Sequence, residues 1–350
     1  MRRRSLLLAA PALAVARNAS ALPPAHLEFP RDHGAHPSFR TEWWYITGQA
    51  RSGERQFGFQ VTFFRSRVDE TQTMHSRFAA KQLVFAHAAL TDVKGRKLWH
   101  DQRIAREGFD VALAEQGDTR VRLRDWSLQR QGSGTYVARI PAGEFGLQLQ
   151  CAPTQPVLLQ GRDSLSRKGP REDEASYYYS QPQLAVSGEL ALQGQRFTVT
   201  GKAWLDHEWS EELLDREAVG WDWIGMNLDD GSALTAFRLR KSDGSALWDG
   251  GSFRALKGSP YIFSRGETVF SPQRRWTSPL SGASYPVEWI VRTPADFYTV
   301  KAVIDNQELD SRASTGSIYW EGLSDLFDSN GKPAGRGYLE MTGYSQRMRL

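Results

Sequence analysis

Short runs in which apolar and polar residues alternate recur along most of the chain. Alternation with a period of two places successive side chains on opposite faces of a strand and indicates β-structure. Turn sequences such as Asp229-Asp230-Gly231 separate the runs, and convincing helical periodicity is scarce. Clear examples of alternation are residues 56–64, 119–124 and 146–151. The pattern predicts an all-β protein made of antiparallel sandwiches or barrels.

The distribution of the runs predicts two domains. Roughly nine strand-like runs precede the segment 211–219 and about eight follow it, and each set fits a barrel. We therefore expect an N-terminal domain over residues 22–215 and a C-terminal domain over 216–350. The longest polar stretch, residues 161–181, reads as a solvated surface connection, with a lid over a pocket as the alternative.

The first 21 residues have the composition of an export signal. Arg2-Arg3-Arg4 precede an apolar run over residues 5–16, and Ala19-Ser20-Ala21 resembles a cleavage site. We interpret residues 1–21 as a signal peptide, and the adjacent arginines favour the twin-arginine route. This predicts a periplasmic or secreted protein. No later segment is apolar enough to span a bilayer, so the mature chain is not expected to cross a membrane.

Charge and cysteine content narrow the function classes. The formal charge of +4 is matched by the four arginines of the signal segment, so the remainder is neutral and no nucleic-acid partner is predicted. Cys151 is the single cysteine, which excludes an internal disulfide, and we expect it in the core. The chain has no Gly-x-Ser-x-Gly elbow, phosphate loop or dinucleotide fingerprint, and no cofactor is predicted.

The segment Trp204–Ser210 concentrates the candidate chemistry. It places Asp206, His207 and Glu208 between Trp204 and Trp209. In a continuous strand, His207 and Trp209 point one way, whereas Trp204, Asp206 and Glu208 point the other. An imidazole beside an indole suits a pocket that binds an apolar molecule, with or without acid chemistry on it.

A second candidate is the segment Glu42–Tyr45. Glu42 should share a face with Trp44, opposite to Trp43 and Tyr45. On an aromatic inner face the carboxyl group would be desolvated and would hold its proton at neutral pH.

The loop before this segment holds Asp32, His33 and His36. Two histidines and a carboxylate can bind zinc or iron, but the spacing matches no standard motif. We favour hydrogen bonds that fix the loop, and no metal site is predicted.

A third candidate is Trp221-Asp222-Trp223. The two tryptophans share one face of a strand and Asp222 lies on the other. For most of the twelve tryptophans, core packing is the better interpretation. That interpretation weakens where histidines and acids interleave with them, because buried acids need partners.

Together these segments resemble the AttH / carotenoid 1,2-hydratase family, whose secreted members are often labelled predicted hydrolases. The resemblance runs in the same order along nearly all of the mature chain, over residues 31–37, 41–45, 204–210, 220–223, 319–322 and 335–344. It implies two lipocalin-like antiparallel β-barrel domains in tandem.

The resemblance also implies candidate chemistry. The carotenoid enzymes add water to a terminal alkene, which needs an acid, a surface for the cation and a positioned water. Their His-x-Trp pair corresponds to His207 and Trp209, and Trp209 would supply a cation–π face. Their Tyr-x-Asp pair corresponds to residues 234–238, which contain neither residue type. The acid would then be Asp206, Glu42 or Asp222, and the choice stays open.

Two functions follow from this reasoning. The first is an exported lipocalin-like carrier that binds a hydrophobic isoprenoid- or lipid-like ligand in a barrel cavity, with an envelope ABC transport system as a candidate partner. The second is a hydratase-like or hydrolase-like enzyme for an apolar substrate. The ligand-binding candidates are Trp43, Tyr45, Trp204, Trp221 and Trp223, and the catalytic candidates are His207, Trp209, Asp206, Glu42 and Asp222. Both hypotheses expect a cavity in the barrel beside His207 and Trp209.

Overall fold

The computed structural model describes residues 22–212 and 214–348. The proposed signal peptide therefore lies outside the described residues. The described chain is built of antiparallel strands, with two single-turn 3₁₀ helices at Arg31–His33 and Asp69–Thr71. The predicted all-β class is confirmed. None of the helical segments in the described ranges has the length and apolar character needed to cross a bilayer.

A first sheet of thirteen strands forms a nearly closed barrel. Its strands are β1 Thr41–Ser52, β2 Arg55–Arg67, β3 Gln82–Asp92, β4 Lys97–Arg106, β5 Ala112–Ala114, β6 Arg120–Leu123, β7 Trp126–Arg130, β8 Tyr136–Pro141, β9 Phe145–Ala152, β10 Leu158–Leu159, β11 Leu165–Arg167, β12 Ala175–Leu192 and β13 Gln195–Glu212. The order is β4-β3-β2-β1-β13-β12-β9-β8-β7-β6-β5, with β10 and β11 both paired to β12. The first strand thus pairs with the last. Cys151 on β9 lies in the apolar core as predicted, and burial raises the pKa of its thiol to about 12.

A second sheet of ten strands follows. The later strands are β14 Gly220–Leu228, β15 Ala233–Arg240, β16 Ala246–Arg254, β17 Tyr261–Phe263, β18 Val269–Pro272, β19 Arg275–Thr277, β20 Ser284–Pro286, β21 Glu288–Arg292, β22 Phe297–Ala302, β23 Glu308–Ser311, β24 Ser317–Phe327 and β25 Pro333–Met341. The order is β17-β16-β15-β14-β25-β24-β22-β21-β18, with β23 on β24, while β19 and β20 form a separate ribbon. This sheet encloses its own apolar core, which includes Trp289 and Trp320.

The two sheets meet through their outward faces. The chain passes from one sheet to the other between Glu212 and Gly220. Strand β1 of the first sheet contacts β25 of the second, and β12 and β13 contact β14. Tyr45, Trp204 and Trp223 take part in an apolar cluster shared by both sheets. The two sheets therefore enclose a third buried region between them.

The register of β1 against β13 explains how one strand serves two regions. Trp44 lies opposite His207, and Tyr45 lies opposite Asp206. Directly opposed residues of an antiparallel pair share a face. His207 and Trp44 therefore point into the first barrel, and Asp206 and Tyr45 point toward the second sheet. The division of faces predicted for Trp204–Ser210 is confirmed.

The polar stretch 161–181 differs from the expected solvated connection. It contains β11 and the start of β12, and the side chains of Ser164, Ser166, Lys168 and Glu174 within it are buried. The surface interpretation is wrong because β11 pairs with β12 and covers these side chains, and among them Lys168 lines a cleft between the sheets.

Candidate functional site

A cleft of about 510 Å³ lies between the two sheets. Nine aromatic side chains, drawn from both sheets, contribute to its walls. Tyr45 of β1 meets Trp223 of β14 edge to face, with ring centroids 5.4 Å apart. The aromatic lining residues are Trp43, Tyr45, Phe64, Phe85, Tyr178, Trp221, Trp223, Phe237 and Tyr319. Such a volume and lining suit a small apolar ligand.

Acids from both sheets also line the cleft. Asp206 and Glu208 come from β13, Glu321 from β24 and Glu340 from β25. Glu321 and Glu340 are directly opposed across β24 and β25, and Trp223 is opposed to Glu340 across β14 and β25. The sheet register therefore brings carboxyl groups from distant parts of the chain onto facing walls.

Asp206 is held by three donors. Ser180 Oγ donates to Oδ1 at 2.6 Å, Trp204 Nε1 donates to Oδ1 at 2.7 Å, and Tyr178 Oη donates to Oδ2 at 2.9 Å. Burial raises the pKa of Asp206 to about 7, because the loss of hydration outweighs these hydrogen bonds and nearby Glu208 adds repulsion. Asp206 thus titrates near neutral pH in a fixed orientation.

Glu321 is the acid with the strongest tendency to stay protonated. Burial, and then repulsion by Glu340, raise its pKa well above the usual range, although Tyr45 and Tyr319 favour the ionised form. Burial also raises the pKa of Glu340, and Asp206 adds to this effect. Oε1 of Glu321 is buried without a hydrogen bond of normal geometry. A neutral carboxylic acid with a free oxygen can donate a proton to a bound molecule.

Glu208 is balanced by a buried lysine. Lys168 Nζ lies 2.8 Å from Glu208 Oε1, and Ser176 donates a hydrogen bond to the same carboxylate. The ammonium group also sits over the rings of Tyr178 and Phe237, at 4.7 and 4.3 Å from their centroids. The Lys168–Glu208 pair therefore adds no net charge to the cleft.

His87 fixes one aromatic wall of the cleft. Its Nδ1 lies 2.8 Å from the hydroxyl of Tyr319, and its Nε2 lies 2.8 Å from Oγ of Ser314. Burial lowers the pKa of His87 to about 3, so the ring is neutral at physiological pH. His87 thereby orients Tyr319, which lies beside Glu321.

The other face of β1 and β13 carries a different cluster, inside the first barrel. Glu42 Oε1 lies 2.9 Å from His207 Nε2 and 2.7 Å from His36 Nδ1. Arg65 Nε donates to Glu42 Oε2 at 2.8 Å. Tyr179 Oη links His207 Nδ1, at 3.1 Å, to the loop before β1. This network ties the N-terminal loop into the barrel, as the hydrogen-bond interpretation expected.

The prediction that Glu42 holds its proton is wrong. Burial by itself would raise the pKa of Glu42, but hydrogen bonds from His207 and His36 outweigh it and lower the pKa below the usual range. The buried guanidinium of Arg65 adds an ion pair. Burial also lowers the pKa of His207 to about 4, so its ring is neutral at physiological pH. Glu42 is therefore ionised at neutral pH, and its catalytic role stays a prediction.

His207 and Trp209 do not line the cleft. Trp44 stacks on His207 at 4.7 Å between ring centroids, and His36 stacks on Trp209 at 3.8 Å. Both residues are fully buried in the first barrel. The expected cavity beside them is therefore misplaced, because the cleft opens on the opposite face of the same strand.

The remaining predicted residues divide in the same way. Trp43, Tyr45, Trp221 and Trp223 line the cleft, whereas Trp204 is buried behind Asp206 as its hydrogen-bond donor. Asp222 points away from the cleft. Its carboxylate accepts hydrogen bonds from Arg238 Nε at 2.7 Å and Tyr344 Oη at 2.8 Å. It braces the second barrel, and its role as an acid stays a prediction without geometric support.

One set of side chains has the donor types for a metal ion. Ligand atoms of His36, Glu42 and His207 all lie within 4.8 Å of one another. Both imidazoles already hydrogen-bond to Glu42, and Arg65 contributes a full positive charge to the same carboxylate. This arrangement favours the hydrogen-bonded network, since a cation would have to compete with the guanidinium.

Sequence reasoning missed Glu321, Glu340 and Lys168 as cleft residues. The alternation applied to residues 204–210 would also have placed Tyr319 and Glu321 on one face, opposite Trp320. That alternation could identify a buried acid on an aromatic face. It could not show that this face meets β13.

The fold and the cleft define a lipocalin-like protein of two β-barrel sheets with an acid-lined cleft between them. Within this class, the chain belongs to the AttH-like family, whose model matches residues 20–344. Among curated proteins, none matches the chain in sequence.

Solved structures agree with this assignment. The chain is similar to a candidate AttH protein from Nitrosomonas europaea, with 48% identity and a TM-score of 0.86 over 93% of this chain and 99% of the other. It shares its fold with kievitone hydratase from Nectria haematococca, at 11% identity and a TM-score of 0.72, over 92% and 94% of the two chains. CghA in complex with Sch210972 is more distant, at 13% identity and a TM-score of 0.54, over 87% and 88%.

Proposed function

We propose that the protein adds water to an apolar unsaturated compound by acid catalysis in the cleft between the two sheets. The observation that carries this proposal is Glu321, a buried acid that favours its protonated form, lines the cleft, and has one oxygen, Oε1, without a hydrogen bond of normal geometry. Acid-catalysed hydration needs these features together, since an alkene offers no basic atom and must be protonated on carbon.

The chemical step assigns a role to each acid. The Glu321 hydroxyl proton goes to one alkene carbon, so a C–H bond forms as the π bond breaks. The adjacent carbon becomes a cation, and the oxygen of a water molecule forms a C–O bond to it. That water loses a proton to an ionised carboxylate, for which Glu340 is the nearest partner across the strand pair. The net reaction adds one water molecule to the alkene. A proton then passes from Glu340 back to Glu321, directly or through solvent, and restores both acids.

The cleft walls suit the cationic intermediate. Trp221 and Trp223 present indole surfaces, and Asp206 places a carboxyl group nearby. Aromatic faces attract cations, and the attraction is stronger in a desolvated site. Fixed groups aimed at a developing charge lower the barrier more than mobile water does.

The fold of kievitone hydratase lends support at the level of architecture. That protein is a hydratase by name and shares the two-sheet fold over almost the full length. At 11% identity the likeness concerns the fold, so the reaction of this chain is argued from its own acids.

Binding of a hydrophobic ligand without reaction is the second candidate. The aromatic lining supports it equally well. A carrier for an apolar ligand has no use for Glu321, however, because a buried carboxyl group with an unpaired oxygen costs free energy. Retention of such a group against apolar walls favours a catalytic role.

The test is a hydration assay in heavy-oxygen water. Purified protein is incubated with a panel of apolar isoprenoids and unsaturated lipids, and mass spectrometry detects addition of one labelled water. We expect product with the wild type and a loss of at least about a hundredfold with Glu321→Gln, the usual scale for a general acid. Glu189→Gln, on an exposed part of β12, is the matched control. Equal product from Glu321→Gln and wild type would contradict the assignment, and recovery of every ligand unchanged would favour the carrier.

We also propose that the protein acts outside the cytoplasm. The support is the segment with Arg2-Arg3-Arg4, an apolar run and Ala19-Ser20-Ala21. A fusion of residues 1–21 to a reporter should be exported. Export of an Arg2→Lys, Arg3→Lys, Arg4→Lys variant should fail if the twin-arginine route is used.

A further inference from the structure

Two polar atoms at the inner end of the cleft have no hydrogen-bond partner among the described residues. They are the hydroxyl oxygen of Tyr45 and Oε1 of Glu321. The two side chains are 7% and 2% exposed, and Tyr45 favours the ionised form of Glu321 as a weak hydrogen-bond donor, although no bond of normal geometry joins them. Buried polar atoms are almost always paired, so an unpaired acceptor beside a cavity indicates a ligand that brings a donor.

The charges of the cleft specify that ligand further. Three of its acids, Asp206, Glu321 and Glu340, have no cationic partner among the hydrogen bonds and ion pairs of the described chain, because Lys168 is occupied by Glu208. The arginines that line the cleft are exposed at its mouth and are Arg40, Arg216 and Arg347. An anionic ligand would gain no cationic partner from these acids and would be repelled by any that ionise, so the site disfavours fatty acids and phosphates.

The walls are suited to a cation. Lys168 already shows that an ammonium group can sit within 5 Å of ring centroids inside the cleft, over Tyr178 and Phe237. Trp221, Trp223 and Tyr45 offer further rings on the side that Lys168 does not occupy. Carboxyl groups combined with aromatic faces form the recognised type of site for alkylated ammonium groups.

From these observations we propose that the cleft binds a lipophilic amine in its protonated form. The ammonium N–H donates to Glu321 Oε1, and the hydroxyl of Tyr45 completes the polar end. The alkyl chain lies along Trp221 and Trp223. This inference concerns binding alone, and it holds whether or not the cleft also hydrates a substrate.

Binding of a cation should displace protons from the acids. A positive charge beside Glu321 favours its ionised form, so protons are released and affinity increases from pH 5 to pH 8. Several titratable groups face Glu321 and share this response. They are Tyr45 of β1, His87 of β3, Lys168 beside β11, Asp206 and Glu208 of β13, Tyr319 of β24, and Tyr338 and Glu340 of β25.

The test uses four probes of one chain length and the full-length mature protein. The probes are N,N-dimethyldecylamine, decyltrimethylammonium, decanol and decanoate, each below its micelle concentration, and binding is measured by titration calorimetry in phosphate and in Tris. We expect the protonated amine to bind at least about tenfold more tightly than decanol, the scale of one charge-assisted hydrogen bond. The quaternary cation, which has no N–H, should fall between them, and decanoate should not bind.

Buffer dependence gives a second readout. Proton release makes the binding enthalpy of the amine differ between phosphate and Tris, whereas decanol should show no difference. Glu321→Gln should lose the proton release and at least about tenfold in amine affinity, a larger loss than for decanol, which forms only a neutral hydrogen bond. Glu189→Gln, outside the cleft, should behave as wild type, and thermal unfolding confirms that both variants fold. Equal affinity for amine and decanol, or tight binding of decanoate, would overturn the proposal.

The outcome is separable from that of the hydration assay. Amine binding without any hydration would leave the cation site standing and sink the catalytic proposal. Hydration without selective amine binding would support the catalytic proposal and overturn the proposed amine site.

Discussion

Substitution of Asp206 by asparagine tests whether burial of an ionised carboxyl group in the cleft lowers the free energy of unfolding. Asparagine has nearly the same shape, and its oxygen can accept the hydrogen bonds from Ser180 and Trp204. Its amide nitrogen would face the hydroxyl of Tyr178, which can rotate to accept. The variant therefore removes the charge and keeps the packing.

The magnitude follows from the pKa of Asp206. Burial raises this pKa from its ordinary value of 3.8 to about 7. Between those values the folded protein binds a proton that the unfolded chain has lost, so its stability falls as pH rises. Each pH unit costs about 1.4 kcal/mol, and full ionisation costs on the order of 4 kcal/mol. The variant escapes this cost.

The assay is urea unfolding of wild type and Asp206→Asn at half-unit steps from pH 5 to pH 8.5. Relative to wild type, the variant should gain about 1.4 kcal/mol per unit up to pH 7 and then level off. Subtraction removes the titration of groups that both proteins share. Glu189→Gln, at an exposed pair with Arg196, should show a flat difference below about 1 kcal/mol. Parallel curves for Asp206→Asn, or a gain toward low pH, would refute the reasoning.

Three further substitutions separate structural from functional acids, each measured by urea unfolding at pH 7. Glu42→Gln leaves the guanidinium of Arg65 buried without its ion pair and should cost about 3–5 kcal/mol. Lys168→Met strands Glu208 in the cleft and should cost on the order of 3 kcal/mol. Tyr45→Phe removes an unpaired hydroxyl and should be neutral or stabilising by about 1 kcal/mol.

These three results have clear failure conditions. A cost under about 1 kcal/mol for Glu42→Gln would mean that its network is not structural. If Lys168→Met is neutral, the lysine and Glu208 do not form a buried pair in solution. A loss of more than about 1 kcal/mol for Tyr45→Phe would show that its hydroxyl has a partner.

The fold class could be predicted from the chain because alternation is a local property. Alternation predicted which residues share a strand face. The register confirms this, since Trp44 lies opposite His207 on one face and Tyr45 lies opposite Asp206 on the other. Burial of Cys151 was expected because it is a single free thiol, and its place in the alternating run that became β9 accounts for it. Such inferences need only the neighbouring residues and the geometry of a strand.

The protonation of Glu42 could not be predicted in this way. Its environment depends on His36 from the preceding loop, on Arg65 from β2 and on His207 from β13. An aromatic strand face predicts desolvation, which raises the pKa of a carboxyl group. Hydrogen bonds from the two histidines, which arrive from distant positions, reverse that effect.

The location of the cleft has the same origin. Asp206 and Tyr45 project from the outside of the first barrel, a face that would be hydrated if the barrel stood alone. They are desolvated because β14, β24 and β25 of the second sheet cover them. The raised pKa values of Asp206 and Glu321 are therefore consequences of contact between two sheets that are encoded in different halves of the chain.

Contact between the two sheets also explains why the cleft does not lie beside His207, as the sequence motif suggested. A strand shared between a barrel interior and a cleft between two sheets carries two periodic patterns, one for each face. The inner pattern, with Trp44 and His207, satisfies every polar atom it buries through the Glu42 network. The outer pattern leaves Glu321 and Tyr45 unsatisfied across the gap. A site that binds or transforms a ligand must keep unmet hydrogen-bonding capacity, so chemistry belongs to the face where pairing is incomplete rather than where the motif is densest.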